Sequence, residues 1–410
     1  MPFPLPLETL VGKPLEFLLF GILGFAFGFV LEISGFGNSK KLAAQFYFKD
    51  MTVLKVMFTA IVVAMVLIFA SVGLGLLDFN LVWVNTTYLW PGIIGGLIMG
   101  VGFIIGGFCP GTSLVSMSTF KLDGLFYVLG ALSGIFLFGE TVGLYEDWWN
   151  NSYYGRLTLM DVFNLPAGVV VVLVVLMALF MFWGAEQLEH IFGKRDLKKE
   201  PRLRRAAAAA LFAGALAVLL IGTPDFEEKW ARVAPEKATQ LDGREVQIHP
   251  GELLQSMADD RLRVVMLDVR PESDYNLFHI EGAQRVSLDE IPTLASQFQA
   301  NTAANTVYVV MSNDETTATQ AWRMLAAESV PNIYILEGGV NNWLRVFAAE
   351  EQAIQPTATP PGQERLIYAF PAALGARYEA AYPNPHEWKL EYTPKIKLQI
   401  QRDKSGGGCG

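Results

Sequence analysis

Six long apolar segments in the first half of the chain limit what it can fold into. They cover residues 15–36, 51–77, 88–108, 122–144, 167–186 and, shorter and rich in alanine, 206–222. About 20 apolar helical residues span a bilayer core, so we expect a polytopic α-helical membrane domain with about six spans. The first segment lacks a strongly basic flank and a small-residue cleavage site, which favours a retained helix over a signal peptide.

Basic residues indicate which loops face the cytoplasm. They concentrate in the first, third and fifth connections, at Lys40, Lys41, Lys49, Lys55, Lys121, Lys194, Arg195, Lys198, Lys199, Arg202, Arg204 and Arg205. Because cytoplasmic loops are enriched in lysine and arginine, this pattern predicts that both termini lie outside. Residues 1–222 carry equal numbers of basic and acidic side chains, so the net charge of -9 belongs to the part that follows. We therefore expect an acidic, extracytoplasmic C-terminal part.

The few cysteines and histidines exclude several kinds of site. Cys109 and Cys409 are the only two cysteines and lie far apart in the sequence, so no structural disulfide is expected. The four histidines, at His190, His249, His279 and His386, do not have the spacing of zinc ligands. We expect no metal, no cofactor and no nucleic-acid partner.

A short internal repeat lies within the membrane part. The segment GFAFGFVLEISGFG from Gly24 aligns without gaps with GLIMGVGFIIGGFC from Gly96. The matching positions are Gly24, Gly28, Ile33, Gly35 and Phe36 in the first copy and Gly96, Gly100, Ile105, Gly107 and Phe108 in the second. Glycines at this spacing are also typical of close helix packing in membranes. Each copy predicts a glycine-rich helix, a break and a second helix.

The second copy continues into the sequence CPGTS. Pro110 removes a backbone donor and the glycines around it loosen the helix, so the motif predicts a broken helix with unpaired amides at membrane depth. In transporters, broken helices within repeats form substrate sites, and exposed amides at a helix N-terminus suit a small anion. The candidate substrate path consists of Gly35, Gly37, Gly107, Cys109, Pro110, Gly111, Thr112 and Ser113.

At these residues the chain resembles the YeeE/YedE family of membrane proteins, which import thiosulfate or related sulfur compounds. The resemblance covers about residues 15–190 and rests on GFG at 35–37 and GGFCPGTS at 106–113. It implies that Cys109 lines the conduction path and makes S–H contacts with the passing anion. Gly37 departs from the pattern because the family usually has cysteine there. The membrane part is also shorter than in full-length members, which favours a homo-oligomer or a second subunit of this type.

After residue 246 the pattern changes to short apolar strands that alternate with helices, which predicts a parallel α/β sheet. LDVRPESDYNLFHIEGA at 267–283 and LEGGVNNW at 336–343 resemble rhodanese domains over about residues 243–348. We therefore divide the chain into a membrane transport domain (1–222), a rhodanese-like domain (223–354), a proline-rich connector with an aromatic and strand extension (355–404) and a glycine-rich tail (405–410). Within the extension, Lys395–Gln401 alternates like a half-buried strand.

The rhodanese resemblance also implies where sulfur chemistry would occur. An active rhodanese has a cysteine after its central strand, in a loop whose amides cradle a persulfide. Ser312 occupies that position here, and serine without an adjacent base is a poor nucleophile that cannot hold a persulfide. Asp314 and Glu315 place two negative charges beside it. We predict a degenerate loop without a catalytic residue, and structural roles for Asp268, Arg270 and His279.

The chain ends in RDKSGGGCG, which carries Cys409. Glycine has no side chain to pack, so a frayed end or a cloning remnant is one interpretation. The other is a swinging arm, because the tail resembles the Gly-Gly-Cys-Gly-Gly end of the periplasmic sulfur-carrier subunit of the Sox thiosulfate-oxidising system. That resemblance implies that Cys409 carries sulfur. From Gln401 the arm would reach about 25 to 30 Å.

Three functions are compatible with these features. The favoured one is a transporter that imports thiosulfate or a related sulfur anion across the bacterial cytoplasmic (inner) membrane, with a periplasmic rhodanese-like domain for substrate capture or delivery. A second is a membrane-anchored sulfurtransferase or sulfur carrier that uses Cys409. A third is a non-catalytic scaffold that docks sulfur-oxidising partners. The repeat and CPGTS favour transport, so we expect a transporter that partners with the sulfur anion, the lipid bilayer and sulfur-oxidation or sulfurtransferase proteins, and not an enzyme.

Overall fold

The computed structural model describes residues 3–5, 7–82, 84–193, 202–301, 305–357 and 364–398. These residues form two compact units that divide between Thr223 and Pro224. The first unit is helical and the second contains a parallel sheet. The fold class predicted from the sequence is therefore confirmed.

Helices build the first unit. They are α1 (Leu7–Val11), α2 (Lys13–Ile33), α3 (Ser39–Ala43), α4 (Thr52–Gly73), α5 (Leu89–Gly106), α6 (Pro110–Ser118), α7 (Leu122–Thr141), α8 (Glu146–Trp149), α9 (Leu159–Phe163), α10 (Ala167–Phe192) and α11 (Arg202–Ile221). Within the described ranges, five spans are long and apolar enough to cross a membrane: α2, α4, α5 with α6, α7 and α10. A sixth is counted if Ala206–Ile221 is joined with Phe226–Asp242. The chain is thus a multi-pass membrane protein.

Helices α4, α10 and α11 pack against one another through small and β-branched side chains. Their shared core contains Val62, Val66, Val171, Val175, Ala178, Ala215 and Val218. A Cβ atom added to Gly168 of α10 would lie 2.9 Å from the Cα of Leu219, so glycine permits the close approach of α10 and α11. The fully buried Glu189 accepts a 2.6 Å hydrogen bond from the Met51 N–H and pairs with Lys55 at 2.6 Å, which ties α10 to the start of α4.

The second unit alternates strands with helices. The strands are β1 (Gln247–Ile248), β2 (Arg263–Asp268), β3 (Gln284–Arg285), β4 (Thr306–Met311), β5 (Ile333–Leu336), β6 (Gln355–Pro356) and β7 (Tyr368–Ala369). The helices are α12 (Phe226–Asp242), α13 (Pro250–Met257), α14 (Glu272–Leu277), α15 (Ile291–Asn301), α16 (Thr316–Ala327) and α17 (Gly339–Phe347). Strands β1 to β5 form one parallel sheet in the order β1-β5-β4-β2-β3.

The central strand β4 is buried on both faces, as a parallel sheet covered by helices requires. Val307, Val309 and Met311 face one core, which contains Trp343 of α17. Tyr308 and Val310 face the other core, which contains Trp322 of α16. The loop that follows β4 is therefore placed at the carboxyl edge of a rigid sheet.

The predicted strand at Lys395–Gln401 is wrong over its described part, because residues 391–398 form no strand. Side chains, not a neighbouring strand, bind the backbone amides there. The buried Glu252 accepts hydrogen bonds of 2.7 Å from the N–H groups of Lys395 and Ile396, and Lys397 N–H donates to the Tyr334 hydroxyl at 2.8 Å. Alternation of polar and apolar residues here reflects packing on the domain surface.

Candidate functional site

The two copies of the repeat form matching breaks in the helical unit. Helix α2 ends before Gly35, which has φ +77°, and α5 ends before Gly107, which has φ +70°. This left-handed backbone favours glycine and stops each helix. The next residues, Phe36 and Phe108, are both buried and belong to one cluster with Leu42 and Val53. The structure therefore brings the two glycine motifs together.

Close packing fills the space around these breaks. A Cβ atom at Gly107 would lie 3.0 Å from the carbonyl oxygen of Ser39, so this contact also requires glycine. The Ser39 hydroxyl donates to Asp123 at 2.8 Å. The breaks are thus locked to each other and to α7 through main-chain contacts and one polar bridge.

An ion pair occupies the position where a side chain at Gly37 would stand. A Cβ atom there would overlap Glu32 Oε2 and lie 2.9 Å from Lys121 Nζ. Glu32 Oε1 and Lys121 Nζ are 3.3 Å apart, and Glu32 Oε2 is buried without a hydrogen-bond partner among the described residues. Lys41 Nζ donates to the Ser34 carbonyl at 2.7 Å. Charged groups therefore surround the position where the YeeE/YedE family usually has a cysteine.

Cys109 caps the N-terminus of α6. Its Sγ accepts the Thr112 N–H at 3.5 Å and lies 3.2 Å from Thr112 Oγ1, while Cys109 N–H donates to that same hydroxyl at 3.0 Å. This reciprocal arrangement is a capping box, with sulfur as a weak acceptor. Pro110 occupies the first helical position, where its missing N–H is not needed. Thr112 and Ser113 are buried, and the thiol is half-buried.

The length of α6 sets the distance between the Cys109 thiol and the turn that leads into α7. Its nine residues rise about 13 Å before the turn at 119–121 that leads into α7. Gly124 of α7 packs against Ser116, and Tyr127 packs against Gly106 and Phe108. Cys109 therefore lies along the side of α7, away from the turn.

The predicted path residues lie in two kinds of position, at the helix breaks or in the first turn of α6. Gly35, Gly107 and Cys109 lie at the helix breaks, whereas Gly111 and the exposed Pro110 form the first turn of α6. Glu32 and Lys121 were missed by the motif comparison. An acidic residue inside the first apolar segment was the available signal, because such a residue is costly in a membrane unless it has a role.

The loop that follows β4 places Ser312 at its predicted position but buries it completely. The Ser312 hydroxyl accepts the Ala318 N–H at 3.1 Å and donates to the Asp314 carbonyl at 3.3 Å. These two partners are backbone groups, and the Glu364 carboxyl group also contacts this hydroxyl. Within the described part of the chain, no hydrogen bond joins the hydroxyl to a histidine or lysine base. The position therefore has the geometry of a helix-start contact and not that of an activated nucleophile.

Three consecutive residues of the LEGGVNNW motif, Gly339, Val340 and Asn341, pack against this loop. Gly339 has φ +63°, and a Cβ atom there would overlap the carbonyl oxygens of Asp314 and Ser312. Val340 N–H donates to the Ser312 carbonyl at 2.8 Å, and Asn341 N–H donates to the Asn313 carbonyl at 3.1 Å. The start of α17 thus binds the carbonyl groups of the loop.

The framework residues of the same domain form buried contacts. Arg270 and Asp268 are both fully buried and pair at 2.6 Å, and Arg270 also donates to the Phe278 carbonyl at 2.7 Å. His279 stacks on Tyr275, and its Nδ1 lies 2.8 Å from the Tyr275 carbonyl oxygen. These contacts join the loops to the sheet. No group of metal-ligating side chains occurs among the residues that the structure describes.

A multi-span unit with a broken, cysteine-capped helix and an α/β unit with a parallel sheet together define a membrane protein with a C-terminal α/β domain. Residues 34–234 match the family model described as sulphur transport, and residues 249–345 match that of the rhodanese-like domain. The chain therefore joins a segment of the sulphur transport (YeeE/YedE) type to a C-terminal rhodanese-like domain, which is the fusion predicted from the sequence. No curated protein and no solved structure matches it.

Proposed function

We propose that this protein imports thiosulfate or a related small sulfur anion and that Cys109 lines the path. The observation that carries the proposal is the half-buried thiol at the N-terminus of α6, next to the paired glycine breaks. The positive end of a helix favours an anion, and a neutral thiol donates an S–H hydrogen bond to sulfur or oxygen. The remaining path residues, Gly35, Gly37, Gly107, Pro110, Gly111, Thr112 and Ser113, shape the break around it.

We further propose that the path is completed by a second copy or a related subunit. Helices α2 and α7 have no buried residue in their most apolar 18-residue windows, so their lateral faces are open in one chain. The orientation follows the basic loops, with both termini and the rhodanese-like domain on the periplasmic side of a bacterial inner membrane. Lys121 and Glu32 would then lie at the cytoplasmic end of the path.

The rhodanese-like domain and the tail are proposed to deliver substrate. Cys409 lies outside the described residues, and its proposed role is that of a mobile sulfur carrier that meets sulfur-oxidation or sulfurtransferase proteins. The buried Ser312 hydroxyl argues against a sulfurtransferase that works through the loop, because sulfur transfer requires an accessible thiolate.

Uptake into sealed vesicles tests the transport proposal. We expect Cys109→Ala to reduce uptake of labelled thiosulfate at least about tenfold, which corresponds to the loss of roughly one hydrogen bond in the path. Ser118→Ala is the matched control, since that exposed hydroxyl at the other end of α6 bonds only the Val115 carbonyl. Equal uptake by Cys109→Ala and wild type would show that the path lies elsewhere.

The same vesicles test the tail and the orientation. A membrane-impermeant thiol reagent should label Cys409 in right-side-out vesicles, and Cys409→Ala should abolish that label. If Cys409 delivers sulfur, Cys409→Ala also lowers uptake at low thiosulfate and leaves uptake at high thiosulfate unchanged. Labelling only after the vesicles are opened would reverse the proposed topology.

A further inference from the structure

A four-residue strap crosses the degenerate loop of the rhodanese-like domain. We define the strap as residues 364–367 and the loop as residues 312–315. Asn341 holds the strap by both polar atoms of its side chain: Nδ2 donates to the Arg365 carbonyl at 2.7 Å, and Oδ1 accepts the Ile367 N–H at 3.0 Å. These two bonds tie the strap to the first turn of α17.

The first residue of the strap inserts its carboxyl group into the loop. Glu364 Oε1 accepts the Asn313 N–H at 3.1 Å, and the Glu364 N–H donates to Asp314 Oδ2 at 3.1 Å. The Asn313 side chain adds a 3.3 Å bond to the Glu364 carbonyl. A carboxyl group therefore accepts a loop amide of the kind that cradles a persulfide in an active rhodanese.

The carboxyl groups of Glu364 and Asp314 lie side by side at the loop, and this arrangement favours the protonated form of Glu364. Burial raises the pKa of Glu364, and the adjacent Asp314 raises it further. Burial raises the pKa of Asp314 too, but hydrogen bonds from Glu364 and from the Thr316 N–H outweigh burial and lower this pKa to about 2. The Glu364 carboxyl group lies against that of Asp314, so an ionised Glu364 would face a second negative charge in a partly buried site.

The other charged groups around the pocket do not compensate an ionised Glu364. Asp274 and Arg270 reach it only through the Asn313 side chain, which bonds Asp274 at 2.6 Å and Arg270 at 3.4 Å. Glu315 at the far end of the loop is paired with Arg244 at 2.8 Å. The nearest charge is therefore the negative one on Asp314.

We propose that the loop is a binding site for a protonated carboxyl side chain and that Glu364 is its built-in ligand, so that ionisation of Glu364 releases the strap. This role goes beyond transport and does not depend on it. The site takes a neutral acid in place of a sulfur anion, because Asp314 already supplies the negative charge.

Glu364 and Asp314 determine the pH range in which the contact between the strap and the loop is stable. The raised pKa of Glu364 stabilises the contact fully below the ordinary pKa of a glutamic acid, and this stabilisation is lost as pH rises through the raised value. The lowered pKa of Asp314 adds stabilisation above the ordinary aspartic value, which is lost as pH falls toward about 2. The strap is thus most stable in mildly acidic solution and opens toward alkaline pH.

Hydrogen exchange on the full chain in detergent tests the proposal. Protection of the peptide that contains Ile367, corrected for intrinsic exchange, should fall about tenfold or more between roughly pH 5 and pH 8. Glu364→Gln, which imitates the neutral acid, should stay protected at both pH values. Glu364→Ala should be unprotected at both. A peptide from Ile333–Leu336 of β5 serves as the internal reference for global unfolding.

Two results would overturn the proposal. One is equal protection of wild type and Glu364→Ala at the lower pH, which would mean that the carboxyl group does not hold the strap. The other is loss of protection in wild type on addition of thiosulfate at the lower pH, with the β5 reference unchanged. That result would make the loop a site for sulfur anions that compete with Glu364.

Discussion

Cys109 and Ser312 occupy comparable positions in the two units of the molecule. Cys109 follows the apolar helix α5 and is the N-cap of α6, and Ser312 follows the buried strand β4 and lies in the loop before α16. Each side chain accepts a backbone N–H from the first turn of its helix, from Thr112 or Ala318. The difference lies in what surrounds them: the thiol is half-buried, whereas the hydroxyl is fully buried beneath loop and strap.

This comparison shows two ways of fixing a helix start. The cap at Cys109 is local, because its capping box uses residues within three positions in the sequence. The loop at Ser312 is held by distant segments, from Gly339 on one side and Glu364 on the other. The locally capped break leaves its thiol half-buried, whereas the loop that is bound from several directions buries its hydroxyl completely.

The largest expected effect comes from breaking the distant support of the loop. Gly339→Ala should destabilise the rhodanese-like domain by about 3 kcal/mol or more, because the new Cβ overlaps loop carbonyls and φ is positive. Pulse proteolysis of the full chain in urea measures this loss. Gly282→Ala is the control with φ +81° but only a 3.6 Å contact to Met266, and it should cost clearly less. Equal costs would mean that the loop carbonyls yield easily.

The second prediction restores a thiol to the degenerate loop. In a chain with Cys109→Ala and Cys409→Ala, Ser312→Cys should react slowly with a water-soluble maleimide, because the side chain is buried. Adding Glu364→Ala should increase the rate about tenfold or more by removing the strap contact. Rapid reaction of Ser312→Cys alone would show that the loop is already open and would weaken the contrast with Cys109.

Much of the fold could be predicted from the sequence because it depends on local patterns. Apolar length indicates the spans, strand and helix alternation indicates the parallel sheet, and the repeat predicts a break after each glycine-rich helix, which the structure places at Gly35 and Gly107. For Ser312, the sequence predicted that a poor nucleophile replaces the cysteine, but it did not predict that the side chain is buried. Its burial results from contacts across the sequence.

The contacts that were missed all join distant segments. Glu364 lies 51 positions after Asn313, and Lys121 lies 89 positions after Glu32, so no local pattern connects them. Over its described residues, 395–398, the predicted strand is wrong for the same reason: Glu252, 143 positions before Lys395, binds the N–H groups of Lys395 and Ile396. Periodicity describes which side of a segment is buried, and it does not identify the group that satisfies its backbone.

The third prediction weakens the local cap itself. Thr112→Val removes the hydroxyl that contacts Cys109 N–H and Sγ, and it should cost about 1 kcal/mol, the typical value of a helix N-cap. Thiosulfate uptake should fall about fivefold as the thiol loses its orientation. Thr112→Ser keeps the hydroxyl and should restore uptake. Unchanged uptake by Thr112→Val would show that this hydroxyl does not orient the thiol.

The smallest effect is expected at the first glycine motif, where Gly37→Cys would introduce the thiol that the family usually has there. The atoms in the way are the ends of the Glu32 and Lys121 side chains, which can move, and the pair that they form is partly exposed. Losing such a pair costs less than about 1 kcal/mol, so the thermal stability of Gly37→Cys should stay close to that of wild type. Glu32→Gln is the control that weakens the pair without filling the space. A large loss of stability in Gly37→Cys but not in Glu32→Gln would show that the first motif is packed too tightly for a second thiol, and that Cys109 alone serves the path within one chain.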